Sequence, residues 1–168
     1  MPRYCLDTSG ITNPLLDMPP DVHVSLWREI MRLIEDGVFC WNMDIWNELS
    51  PSVSGEIGEC LSFSNEIVCF EVGIGDWPWQ KYLEYVELMR TKYKDYISEY
   101  NGNRKGTISL NDCSIVCLAK TLGLSVMSME KPYRQPSQKK IRIPELCSRE
   151  GIRHYDLTEL LRAEGITA

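Results

Sequence analysis

The sequence has few histidines, no Cys-x-x-Cys pair and no long apolar run. Neither His23 nor His154 has a second soft ligand near it in the sequence, so a structural zinc site is hard to assemble. No Gly-x-Ser-x-Gly segment marks a serine hydrolase. No stretch approaches the roughly 20 apolar residues of a membrane helix, and residues 1–18 lack the apolar core of a signal peptide. We therefore expect a cytoplasmic protein that does not contact a membrane.

The composition is that of an ordinary globular protein. The 168 residues are 43% hydrophobic and 25% charged, which predicts a single domain over residues 1–168 and excludes a disordered chain. The net charge of −6 excludes a protein that coats nucleic acid through bulk positive charge, although a local basic patch stays open. An odd count of seven cysteines argues against a disulfide framework. Five of them have apolar neighbours and are predicted to be core residues: Cys5, Cys40, Cys69, Cys113 and Cys117.

Short strand-like runs alternate with helical patterns along the chain. The strands are predicted over residues 3–6, 38–41, 124–128 and 152–155. A polar turn over residues 7–10 is predicted to form a loop after the first strand. Helices are predicted from Asp21 to Gly37, over 43–49, from Ser109 to Gly123, and over 157–164 behind an Asp156 cap.

The middle of the chain, residues 53–106, is predicted to be mostly helical, with one apolar stripe that ends at residues 101–103. Residues 62–78 show no clear pattern. Strands that alternate with helices predict an α/β fold, in which helices cover both faces of a parallel sheet. We expect a three-layer α/β/α sandwich with a short central sheet and extra helices in the middle of the chain.

Four acidic residues lie at strand ends or helix starts. Asp7 follows the first strand, Glu48 lies on the helix after the second, Asp112 lies in the first turn of the helix that precedes the third, and Glu130 follows the third. Because the crevice of a parallel α/β sheet lies at the carboxyl ends of its strands, these acids could converge there. Convergent carboxylates stay ionised together only if a cation offsets their repulsion, and oxygen ligands suit Mg²⁺ or Mn²⁺.

The segments around these acids carry a family resemblance. They are residues 4–9 (YCLDTS), 44–49 (DIWNEL), 109–119 (SLNDCSIVCLA) and 126–130 (VMSME). In this order and spacing they resemble the PIN domain, a family of metal-dependent nucleases that includes the VapC-type toxins. Residues 143–147 and 151–153 resemble the ending of one largely uncharacterised bacterial PIN-like group. The chain departs from the family pattern at Glu130, where Asp is commoner, and at Cys117, where a small Ala is common.

The resemblance implies a metal-dependent ribonuclease, with a metal-activated water hydrolysing the RNA phosphodiester. It implies that the four acids, Asp7, Glu48, Asp112 and Glu130, hold Mg²⁺ or Mn²⁺ and act in catalysis. Thr8 or Ser9 would support the first acid, and Ser128 stands in the segment that leads to the fourth. The resemblance further implies an RNA substrate, an antitoxin partner of a toxin–antitoxin pair, and a homodimer.

Each acid also has a purely structural interpretation. Asp7 could cap a turn, and Asp112 forms a capping-box pattern with Ser109. Glu48 could face solvent, with Asp44 as an equally placed alternative, and Glu130 could be a loop charge. If these interpretations hold, the protein is a catalytically degenerate PIN-like module that binds RNA or protein. A phosphatase of the haloacid dehalogenase type is disfavoured, because it needs an Asp two residues after the first acid, where Ser9 stands.

A basic segment follows Glu130. Residues 131–142 (KPYRQPSQKKIR) contain five basic residues and no acid. Such a segment beside a metal site could follow a phosphate backbone, and Tyr133 could stack on a base. The candidate nucleic-acid contacts are Lys131, Arg134, Lys139 and Lys140. The alternative is a solvated loop that balances an acidic surface.

Overall fold

The computed structural model describes residues 1–135, 137 and 140–167. The sheet contains five short strands: β1 (Tyr4–Leu6), β2 (Phe39–Asn42), β3 (Cys69–Phe70), β4 (Ser125–Met127) and β5 (His154–Tyr155). All neighbouring strands are parallel, in the order β3-β2-β1-β4-β5. Cys5 of β1 is paired with Cys40 of β2 on one side and with Val126 of β4 on the other.

Helices make up most of the rest of the described chain. They are α1 (Ser9–Asp17), α2 (Val24–Glu35), α3 (Met43–Leu49), α4 (Gly55–Val68), α5 (Trp79–Lys92), α6 (Leu110–Leu122), α7 (Ile143–Arg149) and α8 (Leu157–Ala163). Helix α4 contacts α2 and strands β2 and β3, whereas α6 contacts β1, β2 and β4 together with α5 and α7. This arrangement confirms the predicted three-layer α/β/α sandwich with extra helices in the middle of the chain. No described helix is long and apolar enough to cross a membrane.

The strand order reverses direction next to β1. From β1 the chain runs outward through β2 and β3, and then returns to place β4 on the other side of β1. In open α/β sheets, ligands bind at the carboxyl ends of the strands where the order reverses. The crevice between the ends of β1 and β4 is therefore the first place to look for a functional site.

Several predicted helix boundaries are confirmed by their caps. Ser109 and Asp112 form a capping box at the start of α6, and Gly123 ends that helix in the left-handed conformation with φ 69°. Asp156 and Glu159 form a second capping box on α8. These ends are encoded locally, because the groups that satisfy the free backbone N–H groups lie within three residues.

The prediction of a loop over residues 7–10 is wrong, because α1 begins at Ser9. A side chain at Gly10 would put its Cβ 2.5 Å from Met127 Sδ and 2.8 Å from Leu6 Cδ1. Helix α1 thus packs closely on β1 and β4, and this tertiary contact stabilises a segment whose polar residues and Pro14 gave no helical signal. The cap predicted at Asp21 is also displaced, since α2 begins after His23.

The middle of the chain differs from its prediction in three places. Helix α5 ends at Lys92 rather than at residues 101–103, and two short 3₁₀ turns, Lys94–Tyr96 and Ser98–Tyr100, follow it. Strand β3 lies within the unassigned residues 62–78 and has only two residues. Helix α7 was not predicted, because its start follows the basic segment and includes a proline. Because β3 has only two residues, it is held by its pairing with β2 rather than by its own propensity.

The cysteines belong to the interior. Cys5, Cys40, Cys113 and Cys117 are buried as predicted, and Cys69 is half-buried. The Sγ atoms of Cys5 and Cys40 lie 3.6 Å apart on neighbouring strands, and all seven cysteines are free thiols.

Glu150 joins three helices at the end of α7. Its carboxylate accepts hydrogen bonds from Lys92 Nζ of α5 at 2.8 Å, from Lys120 Nζ of α6, and from the Tyr93 hydroxyl. Burial alone would raise the pKa of Glu150, but the hydrogen bonds from Lys120 and Lys92 lower it to about 2. A carboxyl group with a lowered pKa stabilises the fold above its unfolded pKa, and this contribution is lost as the pH falls toward 2.

We expect Glu150→Gln to lower the free energy of unfolding by about 1–3 kcal/mol at pH 7, because two lysines lose a charged acceptor. The difference from wild type should shrink at pH 3 and below, and urea denaturation at several pH values measures it. Glu87→Gln is the matched control, since Glu87 pairs with Arg90 at 3.8 Å on an exposed face. Equal effects of the two substitutions would contradict a special role for Glu150.

Candidate active site

Asp7 lies at the point where the strand order reverses. Its backbone N–H donates to Met127 O at 2.9 Å, which extends the pairing of β1 with β4 by one residue. Its side chain is buried, with only 4% of the residue exposed. The backbone N–H and the hydroxyl of Ser9 donate to Asp7 Oδ2 at 3.0 and 2.6 Å. In the part of the chain that the structure describes, no group donates to Oδ1.

The two hydroxyl groups after Asp7 have different roles. Ser9 Oγ also accepts from Met129 N at 3.0 Å, so this serine links the segment after β1 to the segment after β4. Thr8 Oγ1 is buried and, among the described residues, has no hydrogen-bond partner. Of the two sequence candidates, Ser9 is the one that supports the Asp7 carboxylate. An unpartnered buried hydroxyl next to it is an atom that a bound water or ligand would satisfy.

Asp112 combines a structural and an electrostatic role. Its Oδ2 accepts a hydrogen bond from Ser109 N at 3.0 Å, so the capping box predicted from the sequence is present. This capping hydrogen bond occupies one carboxylate oxygen. Burial raises the pKa of Asp112, and hydrogen bonding with Ser109 acts in the opposite direction. Asp112 is half-buried, and its charge raises the pKa of Asp7. The same side chain can therefore cap α6 and face the site.

Glu130 lies three residues beyond β4 and immediately precedes the basic segment. Its Oε2 accepts from Ile143 N at 2.8 Å, at the start of α7, so residues 130 and 143 hold both ends of the intervening loop. The Glu130 backbone N–H donates to Ser128 Oγ at 3.4 Å, and Ser128 is fully buried with its hydroxyl 2.8 Å from His154 Nε2. Ser128 thus supports the backbone that leads to Glu130.

Glu48 is the most exposed of the four predicted acids. Its Oε2 accepts from Asn111 Nδ2 at 3.2 Å, which places α3 beside the start of α6. Its charge raises the pKa of Asp112. Asp44, the alternative to Glu48, is exposed and lines a separate groove between α3 and α5.

The carboxylates repel one another. Burial, followed by the charge of Asp112 and to a smaller degree that of Glu130, raises the pKa of Asp7 to about 7, although the Ser9 hydrogen bonds act in the opposite direction. Burial is also the main cause that raises the pKa values of Asp112 and Glu130. Among the described residues, none of the four predicted acids forms an ion pair with Lys, Arg or His. The site is therefore a partly buried concentration of negative charge. Burial raises the pKa of Glu130, and the nearby charge of Arg142 acts in the opposite direction without forming an ion pair.

These residues fit a hard divalent cation by charge and by donor type. Carboxylate oxygens without an ion-pair partner and a free buried hydroxyl are oxygen donors of the kind that Mg²⁺ prefers. Within residues 1–135, 137 and 140–167, however, no three His, Cys, Asp or Glu side chains form a group close enough to hold a metal ion. Mg²⁺ is commonly bound by only one or two carboxylates and keeps several waters, so a looser set also suits it.

The basic segment is anchored rather than freely solvated. Lys131 forms an ion pair with Asp156, while Arg134 and Lys140 are exposed. The Tyr133 ring is covered by the Arg142 guanidinium at 4.0 Å from its centroid and by Lys140 Nζ at 5.5 Å. This ring is less available for base stacking than the sequence suggested. Lys139, the fourth predicted contact, lies outside the described residues.

Two polar residues near the site were missed in the sequence. Glu99 accepts from Leu110 N at 3.1 Å and raises the pKa of Asp112. Asn111 donates to Glu48 and also lines a groove with a volume of about 710 Å³. The only sequence signal for Asn111 was its position next to Asp112, and Glu99 had none, because its approach to α6 depends on how the 3₁₀ turn Ser98–Tyr100 packs.

The structure is similar to the crystal structure of DNA-bound VapBC from Salmonella typhimurium, with 17% sequence identity and a TM-score of 0.49 over 93% of this chain and 98% of that chain. No curated protein matches the sequence. The model of a family described as a domain of unknown function, DUF4411, matches residues 4–168. Because this match covers almost the whole sequence, the chain belongs to the DUF4411 family.

Proposed function

We propose that this protein is a metal-dependent ribonuclease of the PIN type. The observation that carries the proposal is the buried Asp7 carboxylate, at the reversal of the strand order, beside Asp112 and Glu130 and without a basic partner among the described residues. Such a group ionises readily near neutral pH only when a cation offsets the surrounding negative charge. Mg²⁺ or Mn²⁺ is the proposed cofactor.

Each side chain has a distinct task in this proposal. Asp7 and Asp112 offer their free carboxylate oxygens to the cation. Glu48 and Glu130 flank these two residues and hold water molecules of the cation's hydration shell. Ser9 fixes the orientation of Asp7 through two hydrogen bonds. A divalent cation, when bound, neutralises charge on a phosphodiester and lowers the pKa of water. Any of the acids not bound to the cation is a candidate general base.

The choice of RNA and of protein partners rests on the motif resemblance to VapC-type toxins. Arg134 and Lys140 are exposed and follow Glu130 in sequence, so they are the proposed phosphate contacts, and Lys131 joins them only if its ion pair with Asp156 opens. The proposal includes an antitoxin that holds the nuclease in check, and a homodimer. Both partners are testable by co-purification and by light scattering.

The direct test is cleavage of labelled single-stranded RNA by purified protein with Mg²⁺ or Mn²⁺. We expect wild type to cut, EDTA to abolish cutting, and Asp112→Asn and Glu130→Gln to lower the rate by about 10²- to 10³-fold. Both substitutions keep an oxygen that can accept the structural hydrogen bonds. Asp17→Asn, at an exposed position at the end of α1, is the control and should cut like wild type. An inert wild type across several RNAs and both metals would overturn the assignment.

A second function is favoured by one observation. One oxygen of Asp112 and one of Glu130 accept backbone hydrogen bonds, and no three described side chains form a ready metal-binding group. These facts are also what a degenerate PIN-like module that binds RNA or protein would show. That module would bind labelled RNA equally well in EDTA and in Mg²⁺, and would never cut it. The nuclease would instead lose cleavage in EDTA.

A further inference from the structure

A groove lies beside the predicted acids rather than on them. It has a volume of about 710 Å³, within the range of small-molecule sites, and runs between α3, α5 and the start of α6. Its apolar wall includes Leu83, Val86 and Leu110. The groove lining does not include Asp7, Asp112 or Glu130. The groove thus has its own chemistry, separate from that of the carboxylate site.

The floor of the groove is rigid and its polar groups are satisfied. Asn42, at the end of β2, is buried and donates from Nδ2 to Ser114 Oγ at 2.9 Å and to the Tyr82 hydroxyl at 3.3 Å. Asn42 Oδ1 also accepts from Ile45 N and caps α3. An apolar wall beside hydrogen-bonded polar groups is a surface on which the ring of a ligand can pack.

The rim of the groove carries unused polar groups. Asp44 and Asn47 on α3 and Glu71 after β3 are exposed, and in the described structure their side chains make no hydrogen bond or ion pair. Among the described lining residues the one cation is Arg90, which already donates to the Tyr100 hydroxyl at 2.6 Å and lies 3.8 Å from Glu87. The free charges on the rim are therefore negative, which repels a phosphate but suits a ligand that donates hydrogen bonds.

One side chain connects the groove to a predicted acid. Asn111 lines the groove and donates to Glu48 Oε2 at 3.2 Å. A nucleotide whose phosphate lies near the acids could therefore extend its base past Asn111 into the groove. Base edges are read by side-chain amides and carboxylates, and cytosine, adenine and guanine carry an exocyclic amino group that uracil lacks.

We propose that this groove is the base-recognition subsite of the protein, and that it takes an unpaired base with an exocyclic amino group next to the cleaved phosphate. As a cleavage subsite it rests on the proposed nuclease function. Asp44 and Glu71 accept hydrogen bonds from the amino group, and Asn47 and Asn111 supply amide contacts. The apolar wall packs against the ring.

The first test uses free nucleosides, which have no phosphate and so bind independently of the cation site. Titration of cytidine, adenosine and uridine into the whole protein, followed by NMR of the Asn47 and Asn111 side-chain amides, should show shifts with cytidine and adenosine. Uridine should bind roughly tenfold more weakly, because it leaves the carboxylate acceptors unpaired. Equal binding of all three nucleosides, or no shift with any, overturns the proposal.

Three variants locate the binding. Asp44→Asn should reduce the preference for cytidine over uridine, and Asn47→Ala should weaken binding without affecting folding, because neither side chain has a described partner. Val86→Trp should fill the groove and abolish the shifts. Leu88→Trp, on the exposed far side of α5, is the control and should bind like wild type. Binding that survives Val86→Trp in a folded protein contradicts the location.

The second test separates this proposal from the nuclease assignment. On a randomised RNA pool, wild type should cut beside bases with an amino group, and Asp44→Asn should flatten this preference. Cleavage with an unchanged preference in Asp44→Asn and Asn47→Ala overturns the subsite but leaves the nuclease standing. If wild type cuts no RNA while the nucleoside titration behaves as expected, the nuclease assignment fails and base binding in the groove is supported.

Discussion

Asp7→Asn is expected to slow RNA cleavage severely and at the same time to make the protein more stable above pH 7. The loss of activity follows because asparagine cannot supply the charge that holds a cation at the centre of the site, and the rate should fall by about 10²- to 10³-fold. Asparagine keeps an oxygen that can accept from Ser9, so the backbone around residue 7 should not rearrange. Cleavage assays in Mg²⁺ and Mn²⁺ measure this change.

The gain in stability follows from the raised pKa of Asp7. Burial and the Asp112 charge raise this pKa from 3.8 to about 7, so between these values the folded protein binds a proton that the unfolded chain has released. Stability therefore falls as the pH rises from 4 to 7, and the penalty persists above pH 7. Removing the charge should raise the free energy of unfolding by about 2–4 kcal/mol at pH 8 in EDTA, and by little at pH 4.

The control for both effects is Asp17→Asn, which changes the same functional group at an exposed position on α1. It should leave cleavage and the pH dependence of unfolding unchanged. If Asp7→Asn instead lowers the free energy of unfolding at pH 8, then the Asp7 carboxylate stabilises the fold. In that case repulsion between the carboxylates does not destabilise the folded protein in the absence of a cation.

Mg²⁺ and Mn²⁺ are expected to stabilise wild type against thermal unfolding, because they bind the folded carboxylate site and not the unfolded chain. At about 100 times the dissociation constant the gain should be about 2.7 kcal/mol. The gain should be larger at pH 8 than at pH 5, since Asp7 must release its proton to bind a cation. Differential scanning calorimetry over a series of metal concentrations measures the shift.

Two variants test where the cation binds. Asp7→Asn and Asp112→Asn should each remove most of the metal-dependent stabilisation, even though Asp112→Asn also weakens the α6 cap by about 1 kcal/mol in the absence of metal. Asp17→Asn should respond to the metal like wild type. A shift in Tm that is equal in all four proteins would place the cation elsewhere, and no shift in wild type would favour the binding module.

Local patterns were sufficient for the elements whose signals lie within a few residues. Helix α6 was predicted from Ser109 to Gly123, because its capping box and its left-handed glycine are both encoded in sequence. Helix α1 was not predicted, because it depends on the close approach of Gly10 to Met127, which lies on a strand more than a hundred residues away. Contacts at such a separation leave no periodicity in either segment.

In the candidate site, too, some features were predicted from local sequence and others required the tertiary structure. Asp7 and Glu130 could be placed at the ends of strands from their neighbours, and both remain predictions as catalytic residues. The choice between Thr8 and Ser9 could not be made, because it depends on which hydroxyl turns toward Asp7 Oδ2. The dual position of Asp112, which caps α6 and faces Asp7, also required the structure.

The sequence by itself determined the α/β class, the caps of α6 and α8 and the strand-end positions of the acidic residues, because propensity, period and turn chemistry are local properties of the chain. Only the tertiary structure decided that β4 lies beside β1, which brings Asp7, Asp112 and Glu130 within reach of one another's charge. Only it showed the groove beside Asn111. The physical reason is that burial and Coulomb interactions depend on distances in space, which strand order sets and sequence separation does not.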